Sequence, residues 1–438
     1  MIASLLLGVA VLALAWTWHQ AGVLHRRSLD RLDVRIHVNG IRGKSSVTRL
    51  VAAVLREGGY VTVAKTTGSA ARVIGPSGEE QPIVRHGAAT VNEQIEIISR
   101  HVTPDIEALV IECMAVNPIY QRYAQESIVR GDITIITNVR EDHQEVMGET
   151  LEQIADSLSV TIPMDGVLIT AEDRPKLRAR LARNAAARHS EVVMAEADSV
   201  SDAEMAGFGY FEFRSNVAIG FEVGRLLGID RQVALRGMWK AVPDVGALRL
   251  AHLQIGGKDV LWVPLFASND RESVVAALEG LRPQLAGRTT IGILNNRADR
   301  GRRAELFADM TATDLEPFLD HVITFGAYEP VVTDRLVRGG YDRSRITNMG
   351  ESISPPVETI LDAIAGLIPG GEGALIGLVN IHTAQAELLL HHFDSVLGSG
   401  DDDGLRASRE QWRRPATTRR HSRAVRVRGR QPAIPNDA

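Results

Sequence analysis

The sequence predicts an α/β protein with two parallel-sheet domains behind an apolar N-terminal helix, and three observations carry that expectation. Apolar runs of strand length alternate with helical stretches through residues 35–169 and again beyond residue 250, which is the βα rhythm of a parallel sheet. A glycine-containing loop sits between the first of these runs and a helical repeat. The 438 residues also exceed one domain, at roughly 100 to 200 residues per domain.

Met1 to Trp18 carries no charged side chain, and the first formal charge is Arg26. About 20 apolar residues in a helix span a bilayer. A signal peptide would carry a basic leading segment and a small-residue cleavage site, and neither is present. Residues 1–22 are therefore expected to form a transmembrane anchor. Arg26, Arg27, Arg31 and Arg35 follow closely, so the positive-inside rule places the remaining chain in the cytoplasm, as the body of a single-pass cell-membrane protein. One cysteine, Cys113, excludes an internal disulfide and a cysteine-rich zinc site. A net charge of −5 gives no whole-chain case for nucleic-acid binding.

The first domain is expected over residues 35–243. After Ile36 to Val38 come Asn39, Gly40, Ile41, Arg42, Gly43, Lys44, Ser45 and Ser46, and then Val47, Leu50, Val51, Val54 and Leu55 at helical spacing. That layout makes a phosphate cradle: glycines turn backbone N–H groups toward an anion at a helix N-terminus. Lys44 is placed to reach outer phosphates and Ser45 to sit on a magnesium ion. The loop is GxxGKS, shorter than GxxxxGK[ST], because position 38 is valine. Arg42 serves phosphate, acidic substrate or only solvent.

Ligands of parallel sheets bind beyond the carboxyl ends of the strands. The run 61–67 ends in Lys65, Thr66 and Thr67, with Arg72 nearby, and the run 108–114 is broken by Glu112. A carboxylate at a buried strand end is costly unless it is paired or bound to metal. An ordinary ion pair and a Mg²⁺ site are the two readings. His143 follows the run 133–139, and its chemistry alone does not select it, since Mg²⁺ prefers oxygen.

The second domain is expected over residues 244–397, with a boundary near Pro243. A strand pair (AHLQI, DVLWVPLF) precedes TTIGILNN, HVITFG and ALIGLVN, which alternate with helices in a dinucleotide-fold-like α/β domain. Ser268, Asn269 and Asp270 form a capping cluster. Arg297, Arg300, Arg302 and Arg303 follow a strand end and read either as a solvated charge run or as guanidinium forks that bind carboxylates in pairs. Residues 398–438 hold ten arginines between Arg406 and Arg430 and are expected to stay disordered alone.

Taken together, VNGIRGKSSVTRL, AKTTGSAARVI, IECMAVNP and TNVREDHQEVMG resemble the Mur ligase superfamily, and within it the ligase subunits of bacterial poly-γ-glutamate synthase, the CapB/PgsB branch. The resemblance implies a central P-loop domain of Mur ligase type and an ATP-dependent carboxylate–amine ligase. Lys44 would bind ATP phosphates, with Asn39, Gly40, Arg42, Gly43, Ser45 and Ser46 around them. Ser45, Glu112 and His143 would hold Mg²⁺. Asn216, in FRSNVAIGFEVGRLLGID, resembles the asparagine that approaches the adenine, and Asn269 and Asp270 match further nucleotide contacts. Thr66, Thr67, Arg72, Arg297 and Arg300 fall on the substrate side.

Implied partners are glutamate and poly-γ-glutamate, the membrane and further synthase membrane subunits, with homo-oligomerisation left open and no nucleic acid. Two features depart from the pattern: no lysine matches the carbamylated lysine usual in Mur ligases, Lys176 being a poor fit, and the loop carries Arg42. Another amino-acid or folate substrate, a P-loop NTPase without ligation and a non-catalytic scaffold are the alternatives.

Overall fold

The computed structural model describes residues 2–67, 71–85, 89–244, 248, 250–265, 271–298, 301–351, 355–379, 389 and 393. The chain divides between Val245 and Gly246 into two compact units. In the first, the strands are β1 (Val34–Asn39), β2 (Thr62–Lys65), β3 (Arg72–Ile74), β4 (Glu80–Pro82), β5 (Ala108–Glu112), β6 (Ile133–Ile136), β7 (Val167–Thr170) and β8 (Glu191–Met194). They form one sheet in the order β4-β3-β2-β5-β1-β6-β7-β8. All neighbours run parallel except at the β2–β3 and β3–β4 pairings.

β1 is buried along its whole length and has two unlike faces. Val34, Ile36 and Val38 join the core against the helix Lys44–Glu57. That helix is buried from Val47 to Leu55, lying between the sheet and the helices Arg214–Leu226 and Arg231–Trp239. The other face carries Arg35, His37 and Asn39, all buried, and buried polar groups need partners. Arg35 Nε donates to Asp132 at 3.0 Å, His37 Nδ1 meets Gln125 Oε1 at 2.9 Å, and Asn39 Nδ2 donates to Gln121 Oε1 at 2.8 Å.

The N-terminal helix runs from Ile2 to Asp30, eight residues past the expected end of the anchor. Packing explains the extension: Leu29 is fully buried in the core with Val63, Ile98 and Ile128. His25 Nε2 also lies 2.8 Å from the Ile128 carbonyl, and Arg130 pairs with Asp30 at 3.2 Å. Nearer the N-terminus, Val11, Leu12, Leu14, Trp16 and Trp18 are exposed. Among the described residues no helix is long and apolar enough to cross a membrane; the side chains of residues 1–6 and 8–10 are outside that set.

The second unit contains β9 (Ala251–Ile255), β10 (Lys258–Pro264), β11 (Thr289–Asn296), β12 (His321–Gly326), β13 (Ile346–Asn348) and β14 (Glu372–Leu378). The sheet order is β13-β12-β11-β14-β10-β9, parallel except for the β9–β10 hairpin. Its core gathers Val260, Trp262, Ile291, Ile293, Phe325 and Leu375. The expected tail, residues 398–438, lies outside the described residues.

Burial holds the His37 imidazole neutral and lowers its pKa to about 4, against a raising contribution from Gln125. The unfolded chain regains an ordinary value near 6.5, so it takes up a proton first as pH falls. Stability from this group is therefore intact above about pH 6.5 and is lost down to about pH 4, by roughly 3 kcal/mol. The stability difference between wild type and His37→Gln, followed by urea unfolding from pH 7.5 to 4, is expected to shift by that amount in favour of the variant. A pH-independent difference contradicts it.

Candidate active site

The carboxyl ends of β1, β2, β5 and β6 surround the loop Gly40 to Gly43. Gly40 and Gly43 have φ of +123° and +79°, and a Cβ would fall 2.1 Å from Thr137 Oγ1 at the first and 3.0 Å from Asn216 Oδ1 at the second. Only glycine fits both conditions. β6 and its following loop hold the main chain: the Arg42 N–H donates to Asn138 Oδ1 at 3.1 Å, and Thr137 Oγ1 donates to the Arg42 carbonyl at 2.7 Å.

The helix beyond the loop starts at Lys44 without a side-chain cap, which leaves its first N–H groups to an anion. Lys44 Nζ folds back over the loop, donating to the carbonyls of Gly40 at 2.9 Å and Ile41 at 3.2 Å. Glu112 closes β5 at 3 % exposure. Its Oε2 accepts from Ser45 Oγ and from the Thr67 N–H, both at 2.8 Å, and its Oε1 accepts from Thr67 Oγ1 at 2.6 Å. These hydrogen-bond partners are neutral. Lys65, whose charge also bears on Glu112, is fully buried with Nζ 2.9 Å from Glu93; burial lowers its pKa against the opposing effect of Glu93.

A lysine at a helix N-terminus beside an oxygen-lined acidic strand end is the arrangement of a nucleotide site, and comparison with known proteins agrees. Residues 38–228 match the Mur ligase middle domain, and residues 250–396 match the poly-γ-glutamate synthase CapB C-terminal domain. The capsule biosynthesis protein CapB of Bacillus anthracis is 34 % identical over 378 residues, covering 85 % of this chain and 78 % of that one. The PGA synthase CapB of Bacillus subtilis (strain 168) is 38 % identical over 316 residues, covering 70 % and 78 %.

The chain belongs to the CapB family of Mur-type ligases.

Members of this family are ATP-dependent ligases, and so is this chain. Solved structures share the fold at low identity. Folylpolyglutamate synthase of Mycobacterium tuberculosis complexed with ADP has a TM-score of 0.56 at 16 % identity, over 84 % of this chain and 92 % of that one. MurF of Acinetobacter baumannii has a TM-score of 0.56 at 14 % identity, over 87 % and 79 %.

Several expected contacts lie elsewhere in this CapB-family fold. The Asn39 amide turns inward to Gln121, behind the loop, because it projects from the buried polar face of β1. Thr66 is fully buried and accepts from the Arg72 N–H at 3.1 Å, while the Arg72 guanidinium lies 3.8 Å from Glu80. Arg42 pairs with Asp142 at 3.0 Å, tying the loop to the segment after β6. His143 takes a left-handed turn with its ring 3.8 Å from both Asp142 and Glu145, and its described contacts do not include Glu112. Among the described residues no cluster of three or more histidine, cysteine or acidic side chains could hold a metal. Ser46 is half-buried beside Ser45, and Lys176 is exposed on the helix Pro175–Ala186. Arg297 is half-buried just past β11, whereas Asn269, Asp270 and Arg300 lie outside the described residues.

Asn216, on the helix Arg214–Leu226, is brought against Gly43. Its Nδ2 donates to Glu212 Oε1 at 2.7 Å. Burial pushes the Glu212 carboxyl up to about 7, with Asp244 adding to the rise and hydrogen bonds from Asn216 and Phe213 opposing it. Sequence reasoning passed over Glu212, although an acid inside the aromatic run Tyr210 to Phe213, one helical turn before Asn216, was the available signal.

Gly40→Ala tests the loop geometry. The clash with Thr137 and the strained backbone are expected to cost about 3 kcal/mol of stability, read as a lowered urea midpoint with nucleotide binding lost. Wild-type stability and binding in this variant contradict the account.

Proposed function

We propose that this ligase joins glutamate residues through γ-amide bonds, extending poly-γ-glutamate with ATP as the energy source. One observation carries the proposal: Lys44, Ser45 and Glu112 converge at the uncapped start of the helix Lys44–Glu57, in a chain related to PGA synthase CapB. In the first step an oxygen of the terminal carboxylate attacks the γ-phosphorus of ATP. The bond from that phosphorus to the bridging oxygen breaks, leaving an acyl phosphate and ADP. In the second step the amine of an incoming glutamate attacks the acyl carbon, phosphate leaves and the amine proton passes to solvent.

Both reactants of the first step are anions, so charge neutralisation matters more than acid–base chemistry. Lys44 exchanges two loop carbonyls for phosphate oxygens, and the uncapped N–H groups at the helix start add fixed dipoles that need no reorganisation. The Ser45 hydroxyl and the Glu112 carboxylate, 2.8 Å apart and short of a cationic hydrogen-bond partner, are the hard oxygen donors that suit Mg²⁺. When bound there, the ion supplies further neutralisation of the phosphates. Thr67 fixes the Glu112 carboxylate from both of its oxygens, which holds the site in one geometry. Arg297, with Arg300, is proposed to contact the acidic chain.

The same reading puts residues 1–22, which take in the apolar part of the helix Ile2–Asp30, in the cell membrane as a single span, with both units on the cytoplasmic side and further synthase subunits beside it. Support comes from the exposed Val11, Leu12, Leu14, Trp16 and Trp18 on a helix whose base is packed into the first unit.

Membranes containing the chain, incubated with glutamate and MgATP, are expected to yield γ-linked polymer and ADP together. Lys44→Ala is expected to slow both by about 10²-fold to 10³-fold. ADP formed without glutamate dependence, or near-normal turnover in the variant, overturns the proposal.

A further inference from the structure

Asn216 and Glu212 form a pair that the proposed chemistry does not use. Glu212 is 6 % exposed and Asn216 is 4 % exposed. Glu212 Oε1 accepts from Asn216 Nδ2 at 2.7 Å and from the N–H of Phe213 at 2.9 Å, so the carboxylate is pinned at the helix start. The amide end of Asn216 is thereby committed. Its Oδ1 accepts no hydrogen bond among the described residues and lies 3.0 Å from where a side chain on Gly43 would begin.

An oxygen acceptor held beside the loop repels phosphate oxygens and invites a donor. With Asn216 read as a nucleotide contact, its open Oδ1 suits the nucleoside end, which carries two kinds of donor: an exocyclic amino group and the ribose hydroxyls. A keto group in place of the amino group sets oxygen against oxygen and leaves Oδ1 unpaired, which a hydrogen-bonding site rejects strongly.

We propose that Glu212 sets the base preference of this ligase as a positioning residue, holding the Asn216 carboxamide so that its oxygen alone faces the nucleotide and reads the 6-amino group of adenine. The proposal rests on the reading of Asn216 as a nucleotide contact.

The test uses the full chain with Mg²⁺ and non-hydrolysable triphosphate analogues of adenosine, inosine, and 2′- and 3′-deoxyadenosine. Wild type is expected to bind the adenosine analogue at least about tenfold more tightly than the inosine analogue. Glu212→Met, which cannot accept from Nδ2, is expected to bring that ratio within about threefold. Circular dichroism checks its fold. Should that variant fail to fold, Glu212→Gln, which can present either end of its amide to Asn216, is expected to lower the ratio at least about threefold. A ratio unchanged in the folded variants overturns the proposal, as does a wild type that ignores the base but loses affinity for a deoxyribose analogue. Asn216→Ala separates the two layers. If it binds every analogue as wild type does, the reading of Asn216 fails; if it loses affinity while the Glu212 variants keep the ratio, only the role of Glu212 fails.

Discussion

The site depends on one constraint: a carboxylate, Glu112, is kept almost fully buried at the end of a sheet strand with only neutral hydrogen-bond donors on it. Burying an anion in this way is unfavourable unless hydrogen bonds or a cation offset the lost hydration. Ser45 and Thr67 supply the bonds, and the first comes from the phosphate-loop helix itself. The acid thus couples β5, the strand end of β2 and the helix N-terminus into one rigid lip. Lys65 lies further beneath, neutralised by Glu93.

The split personality of β1 makes that lip possible. Its apolar face seats the helix Lys44–Glu57 in the core, and its polar face is locked by Asp132, Gln125 and Gln121. A one-residue slip in register would exchange the two faces, so the side-chain pairs fix the strand and the strand fixes the loop. The N-terminal helix enters the same framework through Leu29 and His25. Its base is therefore continuous with the first unit and is no loose tether.

Much of this was legible in the residues. The alternation of apolar runs marked most strands of both sheets, though not the short β3, β4, β8 and β13, and Gly40, Gly43, Lys44 and Ser45 declared the loop because few other arrangements need those residue types at that spacing. Glu112 was legible for a related reason: an acid inside ALVIECM violates the burial pattern and demands a cause. What escaped was direction. A strand residue at a loop edge can face the ligand or the core, and Asn39 and Thr66 face the core. Arg72 meets Glu80 across the short β3–β4 pairing, and Arg42 found an acidic partner distant in sequence, Asp142, which no local pattern discloses. Glu212 was hidden because its meaning comes from Asn216, and the meaning of Asn216 comes from its approach to Gly43 across the fold.

The account holds that Lys44 and Ser45 now rest on contacts they surrender to the nucleotide. The most direct measurement is a crystal structure with a non-hydrolysable ATP analogue and Mg²⁺. The account predicts that Lys44 Nζ leaves the Gly40 and Ile41 carbonyls for phosphate oxygens, and that density for a divalent ion separates Ser45 Oγ from Glu112. A triphosphate bound elsewhere, with Lys44 still on those carbonyls and Ser45 still donating to Glu112, would contradict it.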